Sequence, residues 1–167
     1  MCSYVKNMSQ NFAEESGLKL RNVATPYLTD EQWGEESEMI GRFAGSCASH
    51  AATSLFCSRV GRPDLSAVTQ RLCSAVARWT VVHDAALIRL MSYCSGHTDL
   101  VLHGKLAPGD LEDLELVAFS DAAWNGDPVT SKSTTGFWLC LLSPSDAAVE
   151  VDQLAHCFLL LPHSIHY

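Results

Sequence analysis

The stretch 114–138, LELVAFSDAAWNGDPVTSKSTTGFW, constrains this chain more than any other. Leu116, Ala118 and Ser120 alternate with Val117, Phe119 and Asp121, a two-residue period rich in strand formers that ends on a carboxylate and predicts a β-strand. Asn125-Gly126-Asp127-Pro128 supplies turn chemistry. After a polar loop, Gly136 opens a second apolar run, Phe137 to Leu142, stopped by Ser143-Pro144. The expectation is an antiparallel hairpin with a long connection, placing Asp121 at the exposed end of its strand. Two small residues, Ala122 and Ala123, follow, and a carboxylate so placed suits a hard divalent cation. A plain hairpin with Asp121 as a solvated strand end fits the same spacing.

Upstream, the pattern turns helical. From Met1 to about Trp33 no period is sustained, Thr25-Pro26 and Gly34 interrupt, and the expectation is a loosely held arm over 1–34 with a short helix near Phe12 to Leu20. Ile40, Phe43, Cys47, Ala51 and Leu55 recur at helical spacing behind the acids Glu35, Glu36 and Glu38, predicting a helix from about Glu35 that Gly61 ends. Arg62-Pro63-Asp64 punctuates, with Asp64 expected to cap the next helix. That helix turns Val68, Leu72, Ala75 or Val76 and Trp79 inward and leaves Arg71 and Arg78 outside. A third runs from about Val82 to Ser95, buries Leu87, Leu90, Met91 and Cys94, and ends near Gly96. Three helices on short turns predict an antiparallel bundle. Leu100 to Leu102 is expected to be a short strand or extended link, and Ala107 to Asp113 an acidic linker.

A net charge of −8 opposes general nucleic-acid affinity, because an acidic surface repels a duplex unless cations cluster locally. They do cluster: Arg59, Arg62, Arg71, Arg78, Arg89 and Lys105 outnumber Asp64, Asp84 and Asp99 in the helical part. The same arginines also suit a merely solvated helix face. The seven cysteines form no C-x-x-C pair, and the histidines, His97 with His103 and His163 with His166 among them, give no spacing for a convergent zinc site. No signal segment or membrane-length apolar run is read, so an intracellular chain, cytoplasmic or nuclear, without membrane contact is expected.

The run FSDAAWNGDPVTSKSTTGF resembles the opening of the ribonuclease H domain in copia-type retrotransposon polyproteins. There a strand ending S-D-A-D-W is followed by an A-G-D-P-like turn and an R/K-S-T-S/T-G hairpin. Ser58-Arg59-Val60-Gly61-Arg62-Pro63-Asp64-Leu65, and Arg78-Trp79 through Arg89-Leu90-Met91-Ser92-Tyr93, resemble the A-R-x-x-R-P-D and L-R-x-L-x-Y-L segments joining that family's reverse transcriptase to its ribonuclease H domain. The resemblance covers roughly residues 37 to 142, in matching order and spacing. The chain departs at Ala123, where the family usually has an acid, and again after Leu142.

The resemblance implies an α+β chain, a helical bundle followed by a β-hairpin or partial sheet of an incomplete ribonuclease H-like fold. It implies an irregular arm at 1–34, a helical connection-like region at 35–106, a truncated ribonuclease H-like start at 107–145 and a divergent tail at 146–167. The parent family is an RNA-directed DNA polymerase with ribonuclease H activity that uses Mg2+, and hydrolysis of an RNA/DNA hybrid takes two such ions held by several carboxylates. Asp121 matches the first-strand catalytic and metal-binding Asp. No residue matches the helix Glu, Glu150 and Asp152 do not inherit its role, and the polymerase Y-x-D-D turn is missing. The expectation is therefore a truncated or degenerate fragment, catalytically incomplete and holding no Mg2+ stably. Weak contact with RNA/DNA hybrid is expected through Arg71, Arg78, Lys132, Ser133 and Thr134. The alternative is a small non-enzymatic α+β binding or interaction protein in which Asp121 is incidental.

Overall fold

Residues 1–34, 38–100, 114–123, 134–142 and 157–158 are described by the structure, a computed structural model. Helices come first and strands after them, and the chain divides into two units, 1–101 and 102–167. The α+β class holds at that level.

The first unit starts with a helix, α1 (Cys2–Ser16), where a loose arm was expected. Val5, Met8 and Phe12 fall on one face and are buried in the core, so this helix is held by tertiary packing despite the Ser, Asn and Gln between them. It stops at Gly17, whose φ of 67° is the left-handed conformation that glycine adopts without Cβ strain. The following chain is also tied down. Arg89 donates to the Thr25 carbonyl and hydroxyl, both at 3.1 Å, and the Tyr27 hydroxyl donates to the Asp64 carbonyl at 2.6 Å. Leu18, Leu20, Val23 and Leu28 pack on the core from this segment. A short helix, α2 (Asp30–Gly34), begins with a reciprocal cap in which the Thr29 amide donates to Gln32 Oε1 and the Gln32 amide to Thr29 Oγ1.

The helix expected from Glu35 begins later, as α3 (Cys47–Val60), and Ile40, expected inside, is 80% exposed. Glu35 and Glu36 lie outside the described residues. Phe43 sits in the turn before α3 because Asp84 captures that turn: its carboxylate accepts the Arg42 and Phe43 amides, and at 2.7 Å the Trp79 indole N–H. Ile40 pairs with Thr80 as an isolated bridge, and Gly41 fits between them. A Cβ at Gly41 would stand 2.6 Å from the Thr80 carbonyl oxygen and 2.7 Å from Asp84 Oδ1, so only glycine passes.

As expected, α3 ends at Gly61. A 3-10 turn over Pro63–Leu65 leads into α4 (Ser66–Ser74), a second such turn covers Val76–Arg78, and α5 (Val81–Gly96) follows Thr80. Val68, Leu72, Ala75 and Trp79 are buried, as are Leu87, Leu90, Met91 and Cys94. α1 packs on α5 and α3, and α4 on α3 and α5. Among the described residues no helix is long and apolar enough to cross a membrane.

In the second unit β1 (Glu115–Ala123) pairs antiparallel with β2 (Thr134–Leu142), and β3 (Cys157–Phe158) pairs with β2, giving the order β1-β2-β3. The hairpin is the one expected, although β1 continues two residues past Asp121 to Ala123. Leu116 and Phe119 are 68% and 52% exposed, so β1 is a sheet edge carrying apolar side chains in the open. Apart from Leu100, which has no regular structure, and Leu114, the expected 100–102 link and 107–113 linker lie outside the described residues, as does most of 146–167.

Candidate functional site

Asp121 pairs with Gly136 across the β1–β2 ladder, with Ala122 opposite Thr135 and Ala123 opposite Thr134. It therefore stands inside the strand and not at its end, a correction to the expected layout, because the backbone bonding carries on through the two alanines. Across the described residues of this unit the only other acid is Glu115, six positions back along the same strand, roughly 20 Å away at the rise of an extended chain. Two catalytic ions about 4 Å apart need carboxylates that converge. Asp121 and Glu115 stand six positions apart along one strand, and Asp110, Glu112, Asp113 and Asp127 lie outside the described residues. Among the described residues no group of three or more His, Cys, Asp or Glu could hold a metal ion. Lys132 and Ser133 lie outside the described residues, and Thr134 opens β2.

Arg71 and Arg78 come out where the helical pattern placed them, exposed. They are not isolated. The Arg71 guanidinium lies over the Trp33 ring, 4.0 Å from its centroid, and Trp33 meets the His83 imidazole edge-on at 5.9 Å. The Trp79 ring also lies against His83, tilted, at 5.4 Å. The His83 ring completes the cap of α5: the Thr80 amide donates to Nδ1 at 3.1 Å, with the Thr80 hydroxyl 2.9 Å away. Because a backbone N–H donates to Nδ1, the neutral ring carries its proton on Nε2. Burial, then Arg78, then Arg71 hold His83 below the usual histidine range, and Asp84 behind it opposes them. Sequence reading singled out the two arginines but missed Trp33 and His83. The readable signal was the T-x-x-H spacing at Thr80, a capping pattern in which the third residue faces back over the helix start.

Arg62 and Arg89 of the expected basic region are spent on structure. Arg62 is only 1% exposed, and its guanidinium donates to both Asp64 oxygens and, at 2.8 Å, to the His97 carbonyl, while facing the Tyr93 ring at 5.6 Å. Burial works against its charge, but the Asp64 carboxylate more than offsets it and leaves the guanidinium more firmly protonated than usual. Asp64 therefore pairs with Arg62 and makes no side-chain cap, contrary to expectation. No family model, curated protein or solved structure matches the chain. Its site must be judged on its own residues.

Two further groups have strongly altered protonation. Burial pushes the Cys57 thiol up to about 11 and the Cys94 thiol up to about 12, against the pull of Arg62. Neither is a nucleophile near neutral pH. His50 sits between Phe12 and Phe43, with Nε2 3.7 Å from a Glu15 oxygen, and burial lowers its pKa more than Glu15 raises it.

Proposed function

We propose that the chain is a catalytically incomplete copy of the connection region and ribonuclease H start of a copia-type retrotransposon polyprotein, keeping weak affinity for nucleic-acid backbone. One observation supports it most. Several of the residues that carry the resemblance also tie the helical unit together: Arg62 and Asp64 pair under Tyr93, and Trp79 donates to Asp84 at the start of the helix that bears Arg89 and Tyr93. The S-D strand and the T-T-G-F strand pair with Asp121 opposite Gly136, which also agrees with the reading.

Asp121 alone supplies the first-strand carboxylate, and no residue matches the family's helix Glu, so on this reading the hydrolytic step lacks the carboxylates that a pair of ions needs. Arg71 and Arg78 supply charge that positions phosphates without reading sequence. The surrounding acids limit this to roughly the 10⁻⁴ to 10⁻⁶ M range of nonspecific contact. A non-enzymatic α+β interaction protein is the second reading, favoured by β1 lying at the edge of the sheet among the described residues with Leu116 and Phe119 exposed, since an apolar sheet edge suits strand addition. The two part at the transcript. Ribonuclease H-like coding sequence downstream of the Leu142 codon, in any frame, is expected on the first reading. Its absence from all three frames, over the length such a domain needs, contradicts it.

A further inference from the structure

We propose that Arg71, Arg78 and His83 form a seat for a phosphodiester of single-stranded nucleic acid, with Trp33 holding Arg71 in position. The inference deepens the nucleic-acid part of the reading above and rests on it. Stacking on Trp33 uses the face of the Arg71 guanidinium and leaves its N–H edge free. Among the described residues neither Arg71 nor Arg78 makes an ion pair, while Arg62 is fully engaged. His83 Nδ1 is occupied by Thr80, so Nε2–H is the group left to donate. It has no partner among the described residues, yet it is not sealed from solvent.

Among the described residues no acid pairs with Arg71, Arg78 or His83. Asp84 packs behind His83, but its oxygens already accept the Arg42, Phe43 and Trp79 donors. Asp30 and Glu31 of α2, and Glu38 before the Ile40 bridge, are exposed on the neighbouring elements, and Glu35 and Glu36 lie outside the described residues. Arg71 and His83 thus both stand against the Trp33 ring, and Arg78 adds positive charge felt by the imidazole. A phosphodiester brings one charge and two free oxygens, which these groups satisfy. The positive charge left over attracts the next phosphate along a strand, favouring a chain of such groups over a single ion. Protonating His83 at Nδ1 would break the Thr80 cap, so the ring acts here as a neutral donor whose proton affinity rises when an anion sits beside it.

The test follows the His83 ring signal by NMR in the full chain while thymidine octanucleotide is added between about pH 5 and 8. The signal is expected to move and its titration midpoint to rise. With two phosphates neutralised on a single strand the salt slope is about −1.4, so affinity falls about sevenfold between 50 and 200 mM salt. Arg71→Gln with Arg78→Gln together removes the shift and the salt dependence, whereas Arg71→Lys keeps the salt dependence. The proposal is overturned if the octanucleotide leaves His83 unmoved, or moves it equally in the double variant. It is overturned equally if inorganic phosphate or phosphatidylserine vesicles move His83 and the octanucleotide does not. The readout lies on the helical unit and needs no transcript, so failure here is separable from failure of the retrotransposon reading.

Discussion

Replacing Asp84 by Ala is expected to be among the most damaging single changes in the helical unit. The carboxylate is 8% exposed and accepts three donors, the Arg42 and Phe43 amides and the Trp79 indole, from two segments distant from its own helix or ahead of it in the chain. Hydrogen bonds to a charged group contribute about 1.5–3 kcal/mol each. They share one acceptor and are not additive, and the Arg42 side of the turn is open enough for water to replace part of the loss. A cost of about 3–5 kcal/mol is the expected size, as for a buried charge network broken on one side. That is a large share of the roughly 5–15 kcal/mol that stabilises a domain. Urea unfolding followed by tryptophan fluorescence reads it: with a slope of about 1.5 kcal/mol/M, the midpoint falls by about 2–3 M. Asp84→Asn keeps an acceptor and the volume and is expected to lose about half as much. A change under about 1 kcal/mol in Asp84→Ala would refute the assignment of Asp84 as the tie between the 40s turn and α5.

Three further outcomes are expected. Gly41→Ala drives a Cβ against the Thr80 carbonyl oxygen and Asp84 Oδ1, and about 1–3 kcal/mol of overpacking should appear in the same unfolding assay. His50 and His83 both have lowered pKa values, so the unfolded chain takes up their protons first as pH falls. Their contribution is complete above about pH 6.5 and is lost as pH drops through the folded values; His50→Gln should flatten the fall between about pH 7 and 5. A thiol reagent at about pH 8 should modify the exposed Cys2 in the native chain and spare Cys57 and Cys94 until urea is added, as mapped by peptide mass; early labelling of either buried thiol contradicts the core described here.

Local patterns were legible where they agreed with tertiary packing. The apolar stripe of α5 and the alternation of β1 with β2 each have one period and clear stops, and these elements formed close to the expected bounds, whereas the helix expected to run through Trp79 ends at Ser74 and gives way to a 3-10 turn over Val76–Arg78. α1 escaped notice because only Val5, Met8 and Phe12 carry its face among polar residues, and burial against α5 and α3 supplies what its propensity does not. The turn at 41–46 was unreadable for the opposite reason. Its sequence has helical spacing, but Asp84, forty-odd residues later, takes the amides that a helix start would leave free. Of the site, the outward arginines were visible in the helical period, whereas the convergence of Trp33 and His83 on Arg71 depends on how α2, α4 and α5 pack. Arg62 and Asp64 looked like punctuation and turned out to be an ion pair whose arginine is buried, a role that spacing does not encode.

Catalytic incompleteness is tested most directly by incubating the full chain with a labelled RNA/DNA hybrid and Mg2+, beside its Asp121→Asn variant. No cleavage above the level of the variant is expected, since one strand carboxylate cannot fix two ions and each missing ligand costs orders of magnitude in rate. Robust Mg2+-dependent cleavage by the natural chain, abolished by Asp121→Asn, would contradict it.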